Sequence, residues 1–582
     1  MGSRRWAAET GVVLGAYAVL AVGMTWPLAA HFTTALPDGS DGWQYMWNLW
    51  WMKTALVDLH TNPFHTDLLY YPHGVSLLFD TLTPLLGVIS IPFQLLGMSL
   101  PAVYNLLVMF SFVAGGYGTY LLVRWLTGVR AAAFVAGLIF AFCPYHFAHL
   151  RGHLNLLSLQ WLPFYVLALH QAWDDRASYR HRALHSALAG LWLAVNAYTE
   201  WTYALFLGLF TAWFVVWQLL SDRRGTVRRA GLGSLAVTGG TALALVAPAL
   251  VPMVEEARAS SYMQTTPREV AFLSSDLTDA FMPNLFHPLW PDHGAAALAH
   301  YAGRPPAEIV VFVGYTVLFL SIATVWALRG RPEVRFLGLT ALGGWILSLG
   351  PILHVWGQSI FGGIRIPLPY AGLYFLPFFN IFRVPARFMV LVMLALAVLA
   401  GYGLAAYAGR SRLRGGMLLS RTACVAVGVL VLAEFLAVPY PTMVLRDAAG
   451  FYEQAAREPG QFAILDLPLT PLATYLGYQT VHHRPLVDGH LSRQPPDPFI
   501  TDTPVLRYLL PSTPADDPLA AEAARTGLAD LRRAGVRCAV VHWWATYGKE
   551  QGDLRTKLAR VFPGLVSRPL PDQQMEIFTL SP

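Results

Sequence analysis

Charge is scarce in this chain. Of its 582 residues only 13% are Asp, Glu, Lys or Arg, while 55% are hydrophobic. A soluble globular protein carries about 25% charged residues, so the deficit excludes a chain with an ordinary water-facing surface throughout. Cysteine is scarcer still. Cys143, Cys424 and Cys538 are the whole complement; they show no metal-ligand spacing, and no disulfide framework or thiol chemistry follows from them. The formal net charge is only +6. Most of the arginines sit in short stretches between apolar runs, which excludes nucleic acid as a partner.

What is present in abundance is apolar sequence of bilayer length. A crossing needs about 20 predominantly apolar residues, and such runs recur from residue 11 to about 440. The first run is read as an uncleaved span rather than a signal peptide, because a polytopic chain follows it. Basic residues mark the cytoplasmic ends of spans. Arg4/Arg5, Arg124/Arg130, Arg176/Arg180/Arg182, Arg223/Arg224/Arg228/Arg229, Arg329/Arg331/Arg335 and Arg410/Arg412/Arg414/Arg421 fall in alternate gaps. The expected spans lie near 11–30, 101–123, 131–147, 155–173, 183–198, 202–220, 231–252, 308–328, 336–356, 387–408 and 422–440. Eleven spans place the N-terminus in the cytoplasm and the C-terminal domain outside the plasma membrane. The segment "PLLGVISIPFQLLG" at 84–97 is too short to cross and reads as a helix lying in the outer interface.

Beyond about residue 440 the composition shifts to more charge and proline. "QFAILDLPL", "VRCAVVHWW" and "QMEIFTL" read as strands, and "PLAAEAARTGLADLRRAGV" as an amphipathic helix. The expected architecture is therefore an α-helical polytopic membrane domain over 1–440, with a long first outer loop at 31–100, and a soluble extracytoplasmic α/β domain over 441–582.

The polar residues that could carry chemistry gather on the outer side. "LPDGSDGWQYMWNLWW" opens the first loop. Asp38 is explained by turn formation and the aromatics by the membrane interface. Asp41 is explained less well, because it opens the aromatic segment itself. In "CPYHFAHLRGHLNLL", His146, His149 and His153 recur at spacings of three and four, which would put them on one helical face with Arg151 beside them. They read as contacts to a phosphate or acceptor, as a metal site, or as an interfacial loop rich in His. Glu200 lies at the tip of a tight hairpin, where burial would be costly and would imply a role. Arg365, Arg383 and Arg387 precede the tenth span; guanidinium suits phosphate, although outer arginines also anchor helices. In the C-terminal domain His482, His483, Arg484, Asp488, His490 and Arg493 cluster in a loop between strands.

A long outer loop after the first span, starting with an Asp and running through aromatics to "YYPHG" and an apolar "TPLL", resembles the GT-C superfamily of membrane glycosyltransferases. "YPHGVSLLFDTLTPLLG" is similar to the YP-x-G segment of oligosaccharyltransferase catalytic subunits. The stretch from "TPLLG" to "LVRWLTG" resembles the protein mannosyl- and aminoarabinose transferases. "IFRVPARF" and "ILDLPL…YQTVHHRPLVDGHLSR" resemble uncharacterised bacterial membrane proteins of the 6-pyruvoyl-tetrahydropterin-synthase-related and YfhO-like groups. The GT-C resemblance implies transfer of a sugar from a polyprenyl-phosphate donor to a glycan, lipid or protein acceptor on the extracytoplasmic face, with inversion and with Asp41 as base. It implies Arg383, Arg387 and Arg365 as ligands of the donor phosphate. His146, His149, Arg151, His153, Glu200, Asp38 and His73 would contact donor, acceptor or a divalent metal. The second acidic motif of the family is absent from 143–157, which favours a mechanism without metal. A flippase of lipid-linked sugar and a non-catalytic envelope-assembly protein are the alternatives; substitution of Asp41 would be silent in the second.

Overall fold

The computed structural model describes residues 2–580 apart from 38, 40, 175, 222–225, 284–286, 290–307, 309, 377, 414–416 and 446–449. Among the described residues, helices stand at each of the eleven expected spans. They are α1 (Gly2–Met24), α4 (Leu100–Thr127), α5 (Arg130–Ala141) continued by α6 (Pro144–His149), α8 (Trp161–Ala172), α9 (Tyr179–Ala197), α10 (Trp201–Ser221), α11 (Thr226–Ala259), α13 (Tyr315–Ala327), α14 (Pro332–Ser348), α15 (Met389–Leu413) and α16 (Met417–Glu434). Six of these stretches are long and apolar enough to cross a bilayer unaided. The protein is thus an α-helical polytopic membrane protein. The segment at 84–97 forms α3 (Pro84–Leu95), whose 12 residues reach only about 18 Å at 1.5 Å per residue, short of a crossing.

Close helix packing follows from small residues where helices meet. Gly137 of α5 lies against the Tyr17 ring and the Gly116 carbonyl, and Gly190 of α9 against the Thr238 carbonyl of α11. A side chain at either place would force the helices apart. At one end of α1, Glu9 is paired with Arg124 and, at 2.9 Å, with Arg130. The chain leaves the other end of α1 into the first long loop. The basic ends of α4 and α5 and the segment carrying Asp41 are therefore separated by the length of α1.

That loop is built around α2 (Gly42–Lys53), whose Trp43, Tyr45, Trp47, Trp50 and Trp51 are all buried. A polar, charged loop could not supply this; the aromatic segment is a core element. Its cover is the C-terminal α/β domain. There β5 (Ala463–Leu467), β6 (Val536–His542), β7 (Ser567–Leu570) and β8 (Met575–Thr579) form one sheet in the order β5-β6-β8-β7, with β5 and β6 parallel and the other pairs antiparallel. The three strands and the amphipathic helix expected from sequence appear as β5, β6, β8 and the helix Leu519–Arg533; β7 is an addition, a short edge strand of half-exposed residues.

The domain is joined to the first loop by side chains. Trp47 Nε1 donates to Gln479 Oε1 at 2.7 Å, while Gln479 Nε2 donates to the carbonyls of Leu68 (2.6 Å) and Arg484 (2.9 Å). Gln479 belongs to the helix Ala473–His482, and Gly477 of that helix lets the Trp43 ring approach. Below the domain, β1 (Ala35–Pro37) pairs antiparallel with β4 (Thr442–Val444). This ribbon ties the start of the first loop to the segment that follows the last helix of the bundle.

Candidate functional site

Asp41 precedes α2 without capping it through its side chain. Its position is set by backbone packing. Gly152, at φ +87°, would place a Cβ within 2.8 Å of the Gly42 amide, and a Cβ on Gly39 would meet the Arg151 carbonyl. The two glycine-containing turns, "DGSDG" and "RGH", therefore lie directly on one another. The consequence is an ion-pair geometry between Asp41 Oδ2 and His153 Nε2 at 3.3 Å. From the C-terminal domain His490 Nε2 reaches to 4.0 Å of Oδ1. The Asp41 side chain remains 38% exposed, open to the cavity it borders.

That cavity has a volume of about 410 Å³. One wall is apolar, made by Leu193 and Ala197 of α9, Leu205 of α10, and Val246, Leu250 and Met253 of α11. Polar side chains line the cavity as well, among them Asp41, Asp80, His153, Glu200, Arg383 and Arg493. An apolar trough ending on charged groups suits an amphiphile with a long hydrocarbon and an anionic head.

Glu200 is buried, as its cost in the membrane demands a reason for, and its partners supply one. It accepts from the Thr202 amide at 2.9 Å and from Asn155 Nδ2, and Asn155 accepts from Tyr45 at 2.5 Å. The hairpin tip is thereby locked to α2. Asp80 has one signal in the sequence, that it is the one acid in the apolar stretch "SLLFDTLTPLL". Its Oδ1 accepts from Gln44 Nε2 and the Ser492 amide, both at 2.8 Å, while Oδ2 is buried without a hydrogen-bond partner. Burial pushes this carboxyl above its ordinary range, against the lowering effect of the Ser492 amide.

Other expectations separate. The three histidines do not share a helical face, because α6 stops at His149 and a turn intervenes. His146 is a core residue: Nδ1 meets the Ala141 carbonyl at 2.6 Å, Nε2 meets Ser111 at 3.1 Å, and the ring stacks on Phe112. His149 and His153 do come together, with their Nδ1 atoms 3.2 Å apart. Arg151 contributes backbone to the turn and does not line the cavity. Arg387 lines the cavity but is committed to Glu308, through Nε at 3.1 Å and Nη2 at 2.5 Å. Arg365 is exposed on a separate loop and His73 is exposed against Phe499; neither lines the cavity. Asp38 lies outside the described residues. Among the described residues no three His, Cys, Asp or Glu side chains converge as metal ligands. Asp41 with His153 and His490 does not make a three-ligand set.

The C-terminal cluster divides the same way. His482 is buried beneath Tyr452, and Arg484 binds the carbonyls of Ala455 and Gly460. Only His490 and Arg493, with Ser492 between them, reach the cavity or Asp41.

A family model described as a domain of unknown function (DUF6311) matches residues 12–432. The chain belongs to this family. No curated protein matches the sequence, and the finer likeness to the YfhO-like groups finds no support. Three solved structures share the fold. ArnT from Cupriavidus metallidurans is 12% identical with a TM-score of 0.53, over 100% of this chain and 99% of that one; the same protein is also known bound to undecaprenyl phosphate. The Archaeoglobus fulgidus oligosaccharyltransferase is 14% identical with a TM-score of 0.51, over 94% of this chain and 72% of that one. The arabinofuranosyltransferase AftD from mycobacteria is 15% identical with a TM-score of 0.57, and this chain spans 42% of its length. The DUF6311 chain thus shares its fold with these three membrane proteins, with its cavity between the helical bundle and the α/β domain.

Proposed function

We propose that this DUF6311 protein is an inverting membrane glycosyltransferase that moves a sugar from a polyprenyl-phosphate donor to an acceptor on the extracytoplasmic face. The observation that carries the reading is the cavity itself. Asp41 borders it in contact with His153, apolar side chains of α9, α10 and α11 line it, and so do the guanidinium groups of Arg383, Arg387 and Arg493. The likeness of fold to ArnT, which binds undecaprenyl phosphate, supports the same class of donor.

In the reaction the acceptor hydroxyl or amide gives its proton to the Asp41 carboxylate as its heteroatom attacks the anomeric carbon. The bond from that carbon to the phosphate oxygen breaks, and the electron pair leaves with polyprenyl phosphate. A phosphate needs its growing charge neutralised rather than a proton, unlike the poor leaving groups of glycosidases. Arg383 is placed for that task, while Arg387 acts through Glu308 as a brace. His153 orients Asp41. The membrane domain is 1–440, the C-terminal domain 441–582 lies outside, and the arginines paired with Glu9 lie in the cytoplasmic leaflet.

The test is mass spectrometry of polyprenyl-linked sugars and surface glycans. It compares cells with the wild-type protein, without it, and with Asp41→Asn at equal abundance. The expected result is loss of one glycan and accumulation of one lipid-linked sugar in both altered strains. Wild-type glycans in the Asp41→Asn strain, with a defect in the null, would overturn the reading in favour of transport or assembly.

A further inference from the structure

Three guanidinium groups line the polar side of the cavity, and carboxylates are unevenly shared among them. Arg387 has Glu308 to itself. Arg383 and Arg493 share Glu269. The Nη1 atoms of the two arginines lie 3.9 and 3.8 Å from the same Glu269 oxygen. These are ion-pair distances without hydrogen bonds, so Glu269 is a loose counter-ion. At Glu269 two positive charges share one negative charge. Burial, and then the charge of Arg383, push the Arg493 guanidinium down to about 10, the direction expected where cations crowd.

The geometry is nonetheless fixed. Arg493 Nη2 donates to the Ile381 carbonyl at 2.6 Å, two residues before Arg383. Glu269 sits in the first turn of the short helix Pro267–Phe272, where its amide is capped by Thr266. Both arginines also line a second, polar recess with Asp41, His490 and Gln44. The pair therefore shares with Asp41 both the cavity with the apolar trough and the polar recess.

We infer that Arg383 and Arg493 together form the seat of the donor's phosphate, and that Glu269 is the carboxylate an incoming phosphate displaces. This rests on the transferase reading and deepens it. One arginine comes from the membrane domain and the other from the C-terminal domain, so neither part alone makes the seat. The charge excess matches the chemistry. A phosphodiester donor carries one negative charge; when the sugar–oxygen bond breaks, the departing monoester carries nearly two. Planar guanidinium forks can give each phosphate oxygen a charge-assisted bond, and Glu269, loosely held, costs little to displace.

The test titrates the full chain in detergent with three probes: undecaprenyl phosphate, undecaprenol and inorganic phosphate, read by tryptophan fluorescence and native mass spectrometry. Wild-type protein is expected to prefer undecaprenyl phosphate to undecaprenol, with inorganic phosphate binding weakly. Arg383→Gln and Arg493→Gln each weaken undecaprenyl phosphate by roughly ten- to a hundredfold, the range of a lost charged hydrogen bond, and leave undecaprenol unchanged. Arg493→Lys, which keeps the charge, retains part of the affinity. Glu269→Gln binds the lipid phosphate more tightly than wild type, because the competing carboxylate is gone.

Unchanged affinity in both Arg→Gln variants overturns the inference. So does a Glu269→Gln variant that binds as weakly as they do, which would make Glu269 a brace. Inorganic phosphate binding as tightly as the lipid would assign the seat to free phosphate and overturn the donor assignment. If wild-type protein does not distinguish undecaprenyl phosphate from undecaprenol, it is the polyprenyl-phosphate donor that fails.

Discussion

Replacing Arg387 by Met separates a brace from a ligand. Arg387 and Glu308 have side chains only 15% and 8% exposed, and the guanidinium grips both carboxylate oxygens. Removing one member of such a pair leaves the other buried and unmatched, a loss of about 3–5 kcal/mol, whereas exchanging both for apolar groups of similar size is often neutral. Arg387→Met is therefore expected to lower the thermal midpoint in detergent steeply, and Glu308→Leu combined with Arg387→Met to restore most of it. Additive losses in the double variant would refute the pairing argument. A double variant that is stable yet binds no polyprenyl phosphate would refute the assignment of Arg387 as a brace.

Three further outcomes are expected. Asp41→Asn should cut the turnover of purified protein by about 10²–10⁴-fold, the usual share of a general base, with a thermal midpoint close to wild type, since Asp41 makes no side-chain cap bond; turnover within threefold of wild type would remove Asp41 from the chemistry. Gln479→Ala leaves the Trp47 donor and the Arg484 carbonyl unmatched, while the Leu68 carbonyl keeps the Leu486 amide; at about 1–3 kcal/mol per buried orphan, limited proteolysis should cut near the C-terminal domain far faster than in wild type. Asp488 has its carboxyl pushed up to about 6 by burial, with Asp497 adding to the shift. Because that folded value exceeds the unfolded one of about 3.9, stability falls as pH rises between roughly 4 and 6, and Asp488→Asn should flatten that part of the profile.

The bundle was legible because each helix announces itself by composition. Apolar runs bounded by arginine gave all eleven positions, and the shortness of 84–97 kept α3 out of the count. The α/β domain was legible from alternating apolar strands, apart from β7, whose Ser567–Leu570 carries little apolar pattern. The site was legible only in part. Asp41 stood out because an acid opens an aromatic helix, and Glu200 because a carboxylate sits between two spans. The histidine spacing misled, since periodicity predicts a shared face only while the helix lasts, and here it ends at His149. Arg387 looked like a free cation because its partner Glu308 is 79 positions away. Asp80 and Arg493 could not be ranked at all. Their meaning comes from Ser492 and Glu269, which only the fold brings beside them.

The ribbon of β1 and β4 has a consequence for biogenesis. Asp41 follows Pro37 by four residues, and the strand that holds this stretch in place, Thr442–Val444, leaves the ribosome some four hundred residues later. His490 and Arg493 come later still. Contacts this distant along the chain close slowly and close last. A partly inserted protein therefore carries its acid on an unsecured loop, with neither the flanking histidine nor the second arginine yet made. The site is assembled as the final act of folding, and an incomplete chain embedded in the membrane lacks the residues that complete the cavity around Asp41.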